Sequence, residues 1–153
     1  MGLFLSTYLL KVDRKGRVSV PATFRNALSS QPDPAAIFVF PSFRFAALEG
    51  GGSDRIEEMS RRLEALDQFS DEHENLSLLF ADTHRLPFDG EGRVILPDNL
   101  KEFAHIGDEA AFVGRGASFQ IWDPRRFDEH RSATRDRSQR QGTTLPPEGA
   151  RRP

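Results

Sequence analysis

The sequence predicts a mainly β fold with short helices, of the α+β class, in which two repeats interlock into one pseudo-twofold, β-barrel-like domain. Residues 13–21 (DRKGRVSVP) return as residues 89–97 (DGEGRVILP), with five of the nine positions identical. A short amphipathic helix and two apolar, β-rich stretches follow each copy. A unit of about 45 residues is too small to bury a stable core alone, so the two copies are expected to share one.

Each copy of the motif is predicted to be a tight turn between two strands. Asp13 opens the first turn with a carboxylate that can accept backbone N–H groups, and Gly16 can adopt a positive φ. Asp89 and Gly92 hold the same positions in the second copy. These four residues are therefore predicted to shape the turns.

The rest of each repeat is predicted as a short helix followed by two strands. A proline suits the first helical turn because its missing N–H has no partner there, and Pro21 and Pro97 hold this position. The following strands are predicted over residues 37–40, 45–48, 110–113 and 119–122. Residues 50–52 (GGG) are interpreted as a flexible join, and residues 114–116 (GRG) as a hairpin turn.

The acidic segment between the repeats is predicted to form a pair of helices. Apolar residues recur there at helical spacing, at Ile56, Met59, Leu63 and Leu66. Ser70 can cap a second helix, which is expected to bury Leu76, Leu79 and Phe80. The acidic residues are interpreted as a solvated face. The alternative is a subunit contact in which this surface meets a basic patch on a neighbour.

The end of the chain is rich in arginine and has almost no apolar positions. One helical turn is predicted around Phe127, and the rest is expected to be frayed and mobile because it cannot bury enough apolar surface. Its arginines could contact phosphates or serve only solubility. The predicted organisation is a first repeat at residues 4–50, a helical linker at 54–81, a second repeat at 82–126 and a tail at 127–153.

Charge is distributed unevenly along the chain, although the net charge is only −2. The net charge is +3 for residues 1–53, −6 for residues 54–82, −3 for residues 83–123 and +4 for residues 124–153. Nucleic-acid affinity depends on the local density of basic groups rather than on the isoelectric point. The first repeat and the tail are therefore the segments that could meet DNA.

Composition argues against several classes of protein. The chain has no cysteine, which removes disulfides, thiolate metal sites and cysteine nucleophiles and is typical of a reducing cytosol. No run of 18 apolar residues and no signal-peptide pattern is present. The four histidines lack metal-ligand spacing, and residues 50–52 lack the lysine of a phosphate loop. We therefore expect a cytoplasmic, non-enzymatic protein without metal, cofactor, small-molecule ligand or membrane contact.

The first turn carries the strongest signal for nucleic-acid binding. Arg17 begins the strand after the turn, and its planar fork suits phosphate groups and the O6 and N7 atoms of guanine. Arg14 and Lys15 add positive charge beside it, so we predict that all three contact DNA. The alternative for Arg17 is an ion pair with Asp13. Arg25, one turn into the following helix, is a further candidate for a nearby phosphate.

The second turn has the same shape but a different charge. Arg93 corresponds to Arg17, whereas Glu91 replaces the lysine, so the turn has a net charge of −1. For Arg93 two readings stay open: contact with DNA, or an ion pair with Asp89 that stiffens the hairpin.

Motif, spacing and duplication together carry a family resemblance. The matching residues are the two turns at 13–17 and 89–93, Phe4-Leu5-Ser6, Pro21 with Phe24 and Arg25, Pro41 with Phe43, and residues 112–114 and 119–122. With these residues the chain resembles the MraZ family, two-repeat members of the AbrB-like, swapped-hairpin group of bacterial transcription regulators. The resemblance spans roughly residues 3–128.

The resemblance implies a function as well as a fold. It implies a sequence-specific repressor of the division and cell-wall gene cluster, located at the nucleoid, that binds short direct repeats of double-stranded promoter DNA as a ring-shaped homo-oligomer. The family's turn positions fall on Asp13, Lys15, Gly16 and Arg17, and on Asp89, Gly92 and Arg93. The chain departs from the basic pattern at Gly90 and Glu91, which weakens the case for DNA contact by the second turn.

Two other functions are alternatives. One is a ring-forming scaffold with little affinity for DNA. The other is an AbrB-like antitoxin-type module that binds a protein partner through its tail, although the duplication within one chain weighs against it. Salt dependence separates a DNA-binding protein from a scaffold, because each phosphate contact releases counterions.

Overall fold

Eight strands and five α-helices lie within residues 2–149, the part of the chain that this computed structural model describes. The strands are β1 Thr7–Lys11, β2 Arg17–Ser19, β3 Ala36–Pro41, β4 Leu48–Gly51, β5 His84–Pro87, β6 Arg93–Ile95, β7 Glu109–Gly114 and β8 Phe119–Trp122. The helices are α1 Ala22–Leu28, α2 Ser53–Glu64, α3 Asp71–Ala81, α4 Asp98–Phe103 and α5 Pro124–Gln141. The predicted mainly β, α+β class is confirmed.

The strands of the two repeats are interleaved in one sheet. Six strands form one antiparallel sheet in the order β1-β7-β8-β4-β3-β5, and β2 pairs with β6 in a separate two-stranded ribbon. Strands β1–β4 of the first repeat correspond in order to strands β5–β8 of the second. When each strand is replaced by its counterpart, the sheet order becomes β5-β3-β4-β8-β7-β1, which is the observed order reversed. The predicted interlocking about a pseudo-twofold axis is therefore confirmed, with the axis between β4 and β8.

The main core is shared between the repeats. Phe24 of α1 packs against Phe4, Phe112 and Phe119, with ring centroids 5.2, 6.3 and 5.3 Å away. All four rings are almost completely buried. Because Phe112 and Phe119 belong to the second repeat, neither repeat can bury its apolar residues without the other.

Strand β4 corrects two predictions about the first repeat. It begins at Leu48 rather than at residue 45, and it contains Gly50 and Gly51, which pair with β3. The interpretation of residues 50–52 as a flexible join was therefore wrong. A Cβ atom at Gly50 would overlap the buried ring of Phe119, so glycine is required for close packing rather than for mobility. The predicted hairpin at residues 114–116 is confirmed, since Arg115 N–H donates to the Ser118 carbonyl at 2.8 Å.

The helical linker forms as predicted but is only partly covered. The Ser70 hydroxyl caps α3 by accepting from the His73 N–H at 3.1 Å. Most of the acidic residues of the linker are exposed, in agreement with a solvated face. The apolar side chains that were expected to be buried, Leu76, Leu79 and Phe80, remain half-exposed.

The tail forms a longer helix than the sequence predicted. The Asp123 carboxylate accepts from the Arg126 N–H at 3.1 Å, Pro124 occupies the first turn, and Gly142 ends the helix with φ of 61°. One turn was predicted because apolar residues are scarce. Capping at both ends and arginines with good helix propensity explain the 18-residue helix instead. Residues 150–153 of the tail lie outside the described residues.

An aromatic cluster attaches α5 to the outer face of the sheet. His130 stacks on Trp122 with ring centroids 4.8 Å apart and an angle of 20° between the planes. Phe45 lies 4.7 Å from the imidazole, and Phe127 is buried beside them. Burial lowers the pKa of His130 below 6.5, and the charges of Arg115, Arg137 and Arg44 add to this effect.

The free energy of unfolding is expected to decrease as the pH falls below about 6.5. The unfolded chain then protonates His130 while the folded protein does not, so the unfolded state binds more protons. The loss of unfolding free energy begins near the pKa that His130 has in the unfolded chain. It is complete below the pKa that His130 has in the folded protein. Urea unfolding between about pH 8 and pH 5, followed by fluorescence of the single tryptophan, Trp122, measures it. His130→Gln should reduce the slope, and an unchanged slope would contradict the prediction.

Candidate nucleic-acid interface

The two-stranded ribbon brings the motifs of both repeats together. Val18 and Val94 lie opposite each other and are buried. The other face of the ribbon carries two opposite pairs, Arg17 with Ile95 and Ser19 with Arg93. Since facing residues in an antiparallel pair project to the same side, both arginines lie on one outer face, related by the pseudo-twofold axis.

The first turn is organised by the carboxylate of Asp13. Its Oδ1 accepts from the backbone N–H groups of Lys15 and Arg17, both at 2.9 Å, and its Oδ2 accepts from Arg17 Nε at 2.6 Å. Gly16 has φ of 83°, as the predicted turn requires. The backbone hydrogen bond from Arg17, followed by its side chain and Lys15 N–H, lowers the pKa of Asp13 below 3.8. Asp13 is therefore ionised at neutral pH and orients Arg17.

The second turn repeats this geometry. Asp89 Oδ1 accepts from the N–H groups of Glu91 at 2.8 Å and Arg93 at 2.9 Å, and Oδ2 accepts from Arg93 Nε at 2.9 Å. Gly92 has φ of 76°. The backbone hydrogen bond from Arg93 is the main cause of the lowered pKa of Asp89. The hydrogen bond to Asp89 is in turn the main cause of the raised pKa of Arg93. In both turns the aspartate accepts two backbone N–H groups and the glycine has a positive φ.

The ion pair considered for each arginine is present at both turns, but the two sites differ in charge. In each pair the Nε atom of the arginine donates the hydrogen bond to the aspartate. Among the residues that the structure describes, the Nη atoms of Arg17 make no hydrogen bond, whereas Arg93 Nη2 lies 3.6 Å from Glu91 Oε2. Arg14 and Lys15 are exposed at the first turn. An anion therefore meets more available positive charge at the first turn.

Acidic residues next to the ribbon were not identified from the sequence. A groove of about 520 Å³ is lined by Arg17 and Arg93 and also by Asp13, Asp108 and Glu109. Glu109 begins β7 and Asp108 directly precedes it, and only the pairing of β1 with β7 brings them here. Lys11 also lines the groove, but the three carboxylates offset the positive charge there. An anion is therefore favoured at the exposed cations of the first turn rather than within the groove.

Arg25 lies one turn into α1 and contacts the second turn. Its Nε donates to the Val20 carbonyl at 3.2 Å. Its guanidinium lies against the second turn, where a Cβ atom at Gly92 would be only 2.8 Å from Arg25 Cζ. The helix of the first repeat thus supports the turn of the second. The phosphate contact predicted for Arg25 would therefore be made from beside the second turn.

No group of three or more potential metal-ligating side chains occurs within residues 2–149. In that same part of the chain, no helix combines the length and the apolar character needed to cross a membrane.

Comparison with known proteins gives consistent matches. The family model described as "MraZ protein, putative antitoxin-like" matches residues 79–144. A transcriptional regulator MraZ from Gluconacetobacter diazotrophicus is 41% identical over 154 residues, which cover 99% of this chain and 96% of the relative. The proteins of the same name from Gluconobacter oxydans and Rickettsia akari are 40% and 39% identical. Their alignments cover 98% and 95% of this chain and 93% and 97% of the relatives.

Proposed function

The chain belongs to the MraZ family of transcriptional regulators, which are not enzymes, and from this premise we propose that it is a sequence-specific DNA-binding repressor. Its target is the bacterial division and cell-wall gene cluster. It binds short direct repeats of double-stranded DNA near the promoter as a ring-shaped homo-oligomer, and it acts in the cytoplasm at the nucleoid.

The observation that carries the proposal is the ribbon with two oriented arginines on one face. A two-stranded ribbon fits the major groove of B-DNA, where an arginine fork can pair with guanine or with the flanking phosphates. Asp13 and Asp89 accept hydrogen bonds from the Nε atoms of Arg17 and Arg93, so these hydrogen bonds do not use the terminal nitrogens of either arginine. The arginines are thereby ordered before DNA arrives, and less side-chain entropy is lost on binding.

A ring of several copies suits a DNA contact as small as one ribbon. Each ribbon offers only a few contacts, so a single copy would bind weakly. Several copies held at a fixed spacing bind direct repeats together, because the first contact raises the effective concentration of the others. The spacing of the repeats on the DNA should then match the spacing of ribbons in the ring.

Titration of labelled upstream DNA at two salt concentrations tests the proposal. Affinity should decrease steeply between about 50 and 200 mM salt, with a log–log slope of about −0.9 for each phosphate neutralised. The same DNA with scrambled repeats serves as the control for sequence specificity. A ring-forming scaffold without DNA function would show weak binding to both sequences.

Arg93→Ala is expected to weaken DNA binding less than Arg17→Ala does. Glu91 already lies near the Arg93 guanidinium, and the turn lacks further cations, so less favourable charge is lost. Fluorescence anisotropy with the same labelled DNA compares the two variants. A larger loss for Arg93→Ala would show that charge at the turn does not decide the contact.

A further inference from the structure

An apolar groove lies between the α2–α3 pair and the sheet. It has a volume of about 480 Å³ and is lined by Phe40, Ile56, Met59, Leu63, Leu79 and Phe80, among others. Only Phe40 of these six is buried, and the five helical side chains are half-exposed. A continuous patch of partly exposed apolar side chains on a small domain is typical of an interaction surface.

An exposed arm follows α5. Residues 143–148 read TTLPPE, and Leu145 is 91% exposed, more than any other large apolar residue of the described chain. A helix rises 1.5 Å per residue, so α5 carries the arm about 20 Å from its anchor at Phe127. The helix therefore presents an apolar, proline-containing segment to a neighbouring molecule.

We propose that the arm of one copy, residues 143–148, docks in the α2–α3 groove of a second copy. Leu145 enters the apolar groove, and Pro146 and Pro147 pack against its aromatic rings. Proline-rich segments bind aromatic-lined grooves well because they are already extended and lose little entropy. Phe40, Phe43 and Phe80 supply such rings here.

Charge favours the same occupant. The groove is bordered by three arginines and two glutamates, Arg44, Arg55, Arg62, Glu49 and Glu72, so its lining has a net charge of +1, and the arm carries Glu148. Of these three arginines, only Arg62 has an acidic partner among the described residues, Glu58 at 3.7 Å. Glu148 can therefore pair with Arg55 or Arg44 without breaking an existing ion pair.

The contact has a direction. Each copy gives its arm at one surface and receives a neighbour's arm at another, so the interface is heterologous and can close into a ring. This inference rests on the proposed self-assembly and names its contact. The arm contact does not depend on DNA binding, so the arm proposal and the DNA-binding proposal can fail separately.

The first test compares two exposed apolar residues. Leu145→Ser should raise the concentration needed for assembly about tenfold or more, because burial of one leucine is lost. Phe69→Ser is the matched control, since Phe69 is 87% exposed but does not line the groove. Sedimentation velocity on the full-length chain measures assembly. Equal effects of the two substitutions, or a wild-type chain that is monomeric at about 100 µM, would overturn the proposal.

The second test reverses charges across the contact. Arg55→Glu and Glu148→Arg should each weaken assembly, and the double variant should recover most of it. A fluorescein-labelled peptide of residues 142–149 should bind full-length Leu145→Ser protein, and Arg55→Glu in that protein should weaken the binding. Absence of charge-swap recovery together with absence of peptide binding rejects the groove as the arm's site.

Arg17→Ala separates this inference from the proposed function. The variant should assemble like the wild type while losing DNA affinity. If Leu145→Ser assembles normally and the wild type still binds the upstream DNA, the arm contact is wrong and the DNA-binding proposal stands.

Discussion

Replacing Arg17 with alanine is expected to weaken binding to the upstream DNA about tenfold or more. The substitution removes the guanidinium whose terminal nitrogens are available, and it leaves Asp13 without its side-chain partner. The exposed carboxylate would then repel phosphates. The loss should come with a salt dependence that is less steep by about 0.9 for each phosphate contact removed.

The turn itself should survive this substitution. Asp13 still accepts the backbone N–H groups of residues 15 and 17, and Gly16 retains its positive φ. Arg85→Ala is the matched control, because Arg85 pairs with Asp33 at 2.7 Å but lies on β5 rather than on the ribbon. Arg17→Lys keeps the charge without the fork and should fall between the wild type and Arg17→Ala. Unchanged DNA binding by Arg17→Ala with an intact fold would reject the assignment.

Replacing Gly50 with alanine should destabilise the protein strongly. The new methyl group would overlap the ring of Phe119, which is completely buried and packs against Phe24 and Phe4. Overpacking of this kind costs about 1–3 kcal/mol. For a chain of this size, Tm should fall by roughly 2–12 °C.

Differential scanning calorimetry of Gly50→Ala checks this expectation. Gly90→Ala is the matched control, because Gly90 is exposed and a Cβ atom there would have no neighbour within 4 Å in the described structure. Its unfolding free energy should stay within about 0.5 kcal/mol of the wild type. If Gly50→Ala and Gly90→Ala have the same Tm, close packing at β4 does not explain the glycine at position 50.

Local features of the fold were predictable because their causes lie within a few residues. The Asp13 and Asp89 turns, the Ser70 cap and the hairpin at residues 114–116 each depend on short-range hydrogen bonds and backbone preferences. The Asp123, Pro124 and Gly142 signals of α5 were also readable, but the scarcity of apolar residues outweighed them in the prediction.

The candidate site was predictable in its parts but not in its assembly. Sequence alone identified both arginines and the two possible roles of each. It did not indicate that Asp108 and Glu109 border the ribbon, or that Arg25 supports the opposite turn through Gly92. These neighbours are far apart in the chain, and only strand pairing brings them together.

By itself, the sequence determined that one turn-forming unit occurs twice, that its shape is shared and that its charge is not. These properties follow from the chemistry of single residues and of their nearest neighbours along the chain. The tertiary structure decided where each turn lies, why Gly50 must lack a side chain and where the C-terminal helix docks. Each of these depends on contacts between the repeats, because neither repeat buries enough apolar surface to fold without the other.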